Sequence, residues 1–306
     1  MYRRSFLKQV SLIAPAYPSY SFLSKLVMTQ TMLKRRIPSS TEEIPAVGLG
    51  TWIQFDVSAQ GPEWSQLMQV LEIMIDQGGR LIDTSPMYGK AEQTIGMLTD
   101  KMSEADAFFY ATKVWTSGEQ AGRSQIMQSI SRMRRERMDL IQIHNLLDWQ
   151  SHMDTLIDLK AKGKIRYIGI THYTDHSHQQ LANVIKQRPE IDFVQCNYSI
   201  NGTHADQFLF DTAGEYDVAV IINTPFDGGA LFRRVKDKPI PPWAGDLDIN
   251  SWGQYFLKFI LGHPAVTCVI PGTSNPKHLI DNMGAGYGII PDASTRQKMK
   301  TYFDSI

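Results

Sequence analysis

A single (β/α)8 barrel over residues 33–306 is the fold this sequence predicts, and three observations predict it. Apolar runs of strand length alternate eight times with segments of helical period. Three of those runs close on Asp83, Lys113 and His144, and Tyr88 follows the first of them in its loop. Strands favour β-branched and aromatic residues, so polar strand ends need a reason. In parallel barrels the side chains that do chemistry sit where strands emerge into the C-terminal loops. Finally, no Gly-x-Gly-x-x-Gly turn joins a strand to a helix, as a doubly wound sheet would want, and Gly48-Leu-Gly50 falls inside a run instead.

The first run is Val47–Trp52, and Trp64, Leu67, Met68, Leu71, Met74 and Ile75 follow at helical spacing until Gly78-Gly79. The second is Arg80–Asp83, before a helix over Ala91–Asp100. Phe108–Lys113 is the third, with Ile126, Ile130 and Met133 on one face of the helix that follows. Asp139–His144 is the fourth, followed by a helix using Met153, Leu156 and Ile157 and stopped near Gly163. Ile165–Thr171 precedes a helix from about His176 to Lys186, and Ile191–Asn197 a weaker one near Ala205–Thr212. Val218–Asn223 leads through a long Gly/Pro-rich loop to a helix at Ser251–Leu261. The eighth run is Ala265–Pro271, with a helix beginning near Asn275.

Composition narrows the function classes. A hydrophobic fraction of 42% supplies a large core, and 306 residues suit one barrel. The formal net charge of zero points to neither nucleic acid nor an acidic membrane surface as partner. Residues 1–41 nevertheless carry Arg3, Arg4, Lys8, Lys25, Lys34, Arg35 and Arg36 with no acid, so the rest is mildly acidic. Within that stretch Tyr2-Arg-Arg-Ser-Phe-Leu-Lys8 is similar to a twin-arginine export signal. Val10–Leu23 follows as a modest apolar segment, interrupted by Pro15 and Pro18 and too short to span a bilayer. Residues 1–32 are therefore expected to be an export signal or a basic extension. The protein is expected to be periplasmic by that route and cytoplasmic otherwise. Two cysteines, Cys196 and Cys268, exclude a disulfide framework and read as buried thiols.

Asp, Tyr, Lys and His make chemical sense together. A phenol has an ordinary pKa near 10 and gives up its proton reluctantly. A neighbouring ammonium lowers that value, a carboxylate holds the ammonium charged, and an imidazole can orient a carbonyl oxygen beside the phenol. The set suits a proton donor for an alkoxide that develops as a carbonyl receives hydride. No side chain donates hydride, so a nicotinamide cofactor is implied.

Gly48-Leu-Gly-Thr-Trp52, Asp83-Thr-Ser-Pro-Met-Tyr-Gly89, Ala111-Thr-Lys113 and Ile143-His144 resemble, in order and spacing, the motifs of the aldo-keto reductase family. The resemblance runs from about Leu33 to the C-terminus. It implies a reductase of aldehydes or ketones with Tyr88 as general acid, Lys113 and Asp83 tuning it, and His144 positioning substrate. It assigns the cofactor to Gly50, Thr51, Thr171, His172, Gln195 and Asn223, and its adenosine-phosphate end to Thr273, His278, Asp281 and Asn282. Trp52 and Trp115 become substrate-pocket walls. Thr171-His172 stands where family members have Ser-Asn, and Asn223 where an aromatic usually stacks on the nicotinamide, a place Phe226 is expected to fill. Gly272 and His278 replace a Lys and an Arg that bind the 2′-phosphate in many members, which weakens phosphate recognition; the family pattern still implies NADP, with NAD as the alternative.

His172, His176 and His178 read as a solvated loop and helix start, with no metal site. A small carbonyl compound, with no nucleic acid and no membrane, is the expected partner of a monomer or weak oligomer. A different class stays open: a subunit of this fold that binds nicotinamide, turns over slowly and reports redox state to a partner.

Overall fold

A computed structural model describes residues 31–59 and 61–306. It begins with an antiparallel hairpin, β1 (Lys34–Arg36) and β2 (Glu43–Pro45). Eight parallel strands follow, in chain order around one sheet. They are β3 (Leu49–Gly50), β4 (Leu81–Asp83), β5 (Phe109–Val114), β6 (Met138–His144), β7 (Ile165–Thr171), β8 (Phe193–Asn197), β9 (Ala219–Asn223) and β10 (Val266–Val269). Bridges from Val47 to Val269 and from Gly50 to Gly272 bring the first strand against the last. That approach explains Gly48 and Gly50, where a Cβ would stand 2.7 Å from the Leu81 carbonyl oxygen and 2.8 Å from that of Ile270.

Strand periodicity then sorts the side chains. Alternate residues point inward, and along each strand the inward row passes from apolar to polar. Phe109 and Ala111 precede Lys113, Leu140 precedes Gln142 and His144, and Phe193 precedes Gln195. Leu81, Phe109, Ala111, Leu140, Tyr167, Phe193, Ala219, Ile221, Cys268 and Ile270 fill the lower barrel. Ile37 and Ile44 of the hairpin join them, so the hairpin plugs the base. The outward row, including Ile82, Ile141, Ile168, Val194 and Val220, meets the helices in a larger cluster.

The helical layer comprises α1 (Trp64–Asp76), α2 (Ala91–Thr99), α3 (Glu119–Arg132), α4 (Trp149–Ala161), α5 (His178–Gln187), α6 (Leu209–Glu215), α7 (Ala230–Arg234), α8 (Trp252–Leu261), α9 (Pro276–Gly284) and α10 (Ala293–Asp304). Residues 253–261 of α8 are all buried, Lys258 included. The Lys258 ammonium donates to the carbonyls of Leu247, Tyr287 and Ile289 at 2.7–2.8 Å, which uses all three of its protons.

Most expected elements stand, with trimmed ends. The first strand shrinks to two residues because it pairs with both neighbours only near Leu49–Gly50. The expected Ala205–Thr212 helix divides into a 3-10 turn at His204–Gln207 and α6. The hairpin, α7 and α10 have no counterpart in the sequence reading. Both cysteines are buried and free, Cys196 outside the barrel wall and Cys268 inside it. The twin-arginine-like segment lies outside the described residues. Among the described residues no helix is long and apolar enough to cross a membrane.

Candidate active site

Asp83 is the hub of the barrel mouth. Asp83 is 2% exposed, and its carboxylate accepts from three side chains. The Lys113 ammonium donates at 2.6 Å, the Gln142 amide at 3.0 Å and the Gln195 amide at 2.9 Å. A buried carboxylate needs such partners, because isolated burial of the charge costs several kcal/mol. Lys113 is 1% exposed and also donates to the Thr84 carbonyl at 2.7 Å. Burial works to lower the Lys113 pKa, but Asp83 and then Tyr88 outweigh it, and the ammonium stays charged above its ordinary range.

Tyr88 enters from the loop after β4. The Lys113 nitrogen lies 5.1 Å from its ring centroid, so the ammonium stands beside the phenol. The sequence predicts a phenol made more acidic by that neighbour. The net direction is the opposite: burial raises the Tyr88 pKa, and Lys113 only reduces the rise. The phenol is therefore fully protonated at neutral pH, the state a donor requires.

His144 stands edge-on to Tyr88, with ring centroids 6.4 Å apart. Burial and then the Lys113 charge push its pKa down to about 3, so the imidazole is neutral. Its Nδ1 lies 3.5 Å from the Ser85 hydroxyl. Trp115 lies beyond, its ring centroid 6.3 Å from that of His144. The four residues singled out at strand ends thus converge. Trp115 joins them, whereas Trp52 is 60% exposed on the first loop with no aromatic partner among the described residues.

The residues expected to hold a nicotinamide form one polar network. Gln195 Oε1 accepts from the Thr171 hydroxyl at 3.1 Å and from the Asn223 amide at 3.3 Å. The Asn223 amide also donates to the His172 carbonyl. His172 turns its Nδ1 back onto its own loop, accepting from the Tyr173 amide at 3.0 Å and facing Thr174 at the same distance. Phe226, expected to replace the missing stacking aromatic, packs against Phe232 and Phe256 instead. Thr51 donates to the Asp83 carbonyl at 3.0 Å, joining the Gly50-Thr51 turn to β4.

At the other end, Asn275 caps α9 by accepting from the Lys277 amide at 2.9 Å, with Pro276 in the first turn. Thr273 accepts from the Asn275 amide at 3.0 Å. His278 is exposed on the first turn, and Asn282 is buried. The Asp281 carboxylate accepts from the Ser251 hydroxyl at 2.6 Å and so ties α9 to α8.

Gln142 escaped the sequence reading. The signal was present, since residue 142 lies two before His144 and so faces the same side of β6.

A sequence model described as the aldo/keto reductase family matches residues 46–292. The chain belongs to this family. Among relatives of this aldo/keto reductase, methylglyoxal reductase YeaE of Escherichia coli is 30% identical, over 80% of this chain and 86% of that one. The NADH-specific methylglyoxal reductase of the same organism is 25% identical, over 74% of this chain and 78% of that one. An aldo-keto reductase from Klebsiella pneumoniae, crystallised in complex with NADPH, superposes with a TM-score of 0.74 at 21% identity. That comparison covers 90% of this chain and 96% of the other, and it shows the same barrel.

Proposed function

We propose that this chain reduces an aldehyde or ketone to the alcohol, with NADPH as hydride source and Tyr88 as proton donor. One observation carries the reading: the buried Asp83–Lys113 ion pair stands beside the half-buried Tyr88 phenol and a neutral His144 at the barrel mouth.

The residues present suit a nicotinamide dinucleotide. Thr171, Gln195 and the free Nε2 edge of His172 are a hydrogen-bonding set for a carboxamide. Gly50 and Gly272, paired across the seam, leave main chain open to close approach. Thr273, the amides opening α9, Lys277, His278 and Asn282 suit an adenosine phosphate. Asp281 acts there through Ser251. We choose NADPH over NADH because the exposed Lys277 and His278 stand where a 2′-phosphate needs donors. The NADPH complex of the Klebsiella protein supports the same choice, while the NADH-specific relative argues against it.

Bound NADPH would supply the hydride; the chain supplies the rest. His144, neutral, directs one N–H to the carbonyl oxygen and orients it toward Tyr88. The phenol then transfers its proton to the developing alkoxide. Lys113 stabilises the phenolate left behind, and Asp83 keeps Lys113 charged and in place. Trp115 closes one side of the pocket.

Steady-state NADPH consumption with a panel of aldehydes tests this. Many turnovers per chain are expected; a handful would favour the slow redox-reporting subunit. Tyr88→Phe should lower turnover by about 10²–10⁴-fold while NADPH still quenches protein fluorescence as in the wild type. Unchanged turnover would remove Tyr88 from its role, and tighter quenching by NADH would overturn the cofactor preference.

A further inference from the structure

Trp115 is 40% exposed, so burial alone does not hold its ring against His144. It sits on residues 115–118, a short connection between β5 and α3 that ends in Gly118 at φ +89°, a conformation with little preference of its own. Such a connection would be expected to drift. Instead, its main chain is taken up by side chains from two neighbouring helical segments.

Gln125 of α3 accepts from the Trp115 amide at 2.6 Å and donates to the Trp115 carbonyl at 3.2 Å, so both main-chain polar groups of one residue are held by one side chain. His152 of α4 points its Nε2 at the Thr116 carbonyl at 2.7 Å. A ring nitrogen facing a carbonyl must carry the proton, which fixes the tautomer. The Gly118 amide donates to Asp148 at 2.7 Å, and the other oxygen of that carboxylate accepts from Ser151 at 2.9 Å.

Two further observations show what this arrangement costs. A Cβ on Gly122, in the interior of α3, would stand 2.5 Å from the His152 ring, so a glycine is kept in a helix to seat that imidazole. Asn145, Leu146 and Asp148, directly after His144, all adopt left-handed φ between 48° and 55°. Strain of this kind persists only where surrounding contacts enforce it. Here it turns the chain so that Asp148 reaches the Trp115 loop immediately after His144 has been presented to the mouth.

We propose that Gln125, Asp148 and His152 are positioning residues that hold Trp115 as a preset substrate wall, fixed relative to His144 before any carbonyl compound arrives. The proposal rests on the reductase reading above and adds to it the residues that set substrate fit. A wall on a loose loop would have to be ordered on each binding event, weakening substrate capture without touching proton transfer. The consequence falls on KM.

Gln125→Leu and Asp148→Ala should each raise KM about tenfold for the aldehyde turned over fastest, with kcat and NADPH quenching within about twofold of wild type. In a Trp115→Ala background the same substitutions should change KM by less than about twofold, since nothing remains to position. Asp148→Asn keeps an acceptor oxygen and should restore most of the KM. Hydrogen exchange read at single amides gives a second measurement that needs no activity. The Trp115 and Gly118 amides should exchange slowly in the wild type, and Trp115 should speed up in Gln125→Leu. Equal KM factors in both backgrounds, or wild-type amides exchanging at unprotected rates, would overturn the proposal. A wild-type protein that reduces no aldehyde would instead refute the reductase reading, leaving the exchange rates to decide whether the clamp exists.

Discussion

Removing the charge of Asp83 should cost more stability than removing both members of its ion pair. The Lys113 and Asp83 side chains are 1% and 4% exposed, and their charged atoms are 2.6 Å apart. In Asp83→Asn the ammonium stays buried with the Thr84 carbonyl, a neutral amide and the Tyr88 ring near it, and no counter-charge. Stranding one partner of a buried pair costs about 3–5 kcal/mol. At about 2–4 °C per kcal/mol for a domain of this size class, the melting temperature should fall by roughly 6–20 °C. Lys113→Met strands the carboxylate and should cost a similar amount, softened by the amides of Gln142 and Gln195 that still donate to it. The double variant leaves no uncompensated charge and should be more stable than either single variant. Urea unfolding at pH 7 followed by circular dichroism, with midpoint and slope fitted separately, measures all four proteins. A double variant that loses the sum of the two single losses would refute the account of Asp83 as the counter-charge that keeps Lys113 in the core.

His144 gives a pH dependence with a definite sign. Its folded pKa is pushed down to about 3 from 6.5, so the unfolded chain accepts a proton that the folded chain refuses. This contribution to stability is fully present above about pH 6.5 and is lost as pH falls toward 3, amounting to about 2 kcal/mol by pH 5. His144→Gln should decline less steeply than wild type between pH 6.5 and 5 in urea titrations; parallel curves would sink the assignment. Lys258→Met should destabilise the fold by at least about 3 kcal/mol, because the three carbonyls its ammonium serves lose their donor inside the protein. The same urea series checks it, and a loss under about 0.5 kcal/mol would show that those carbonyls find other partners.

Much of the barrel was legible because its strands carry their own marking. Asp83, Lys113 and His144 interrupt apolar runs at the point where a strand leaves the wall, and polar residues there have few other uses. Gln142 was legible too, through its two-residue step from His144, but a glutamine inside Leu-Ile-Gln-Ile looks unremarkable until the face it occupies is known. The hairpin escaped for a different reason. Its strands are three residues each, and Lys34-Arg-Arg36 carries no apolar residue to mark a strand; only Ile37 and Ile44 meeting the barrel floor make it structure. The final helix was signalled by Asp292 ahead of Met299 and Phe303, a cap and an i, i+4 pair with too few apolar residues to stand out from its polar surroundings.

The sequence by itself determined the fold, the family and the convergence of Asp83, Tyr88, Lys113 and His144 on one rim, because alternation and strand-end chemistry are local properties of the chain. Tertiary structure alone decided the protonation of those residues and the company they keep. Whether burial or Lys113 governs the Tyr88 phenol depends on how much water the surrounding loops exclude. Whether Trp115 can serve as a wall depends on Gln125, Asp148 and His152, which all follow it in sequence and reach its loop only after two helices have packed. Desolvation and distance through space are sums over the whole assembled chain, and no window of sequence contains them.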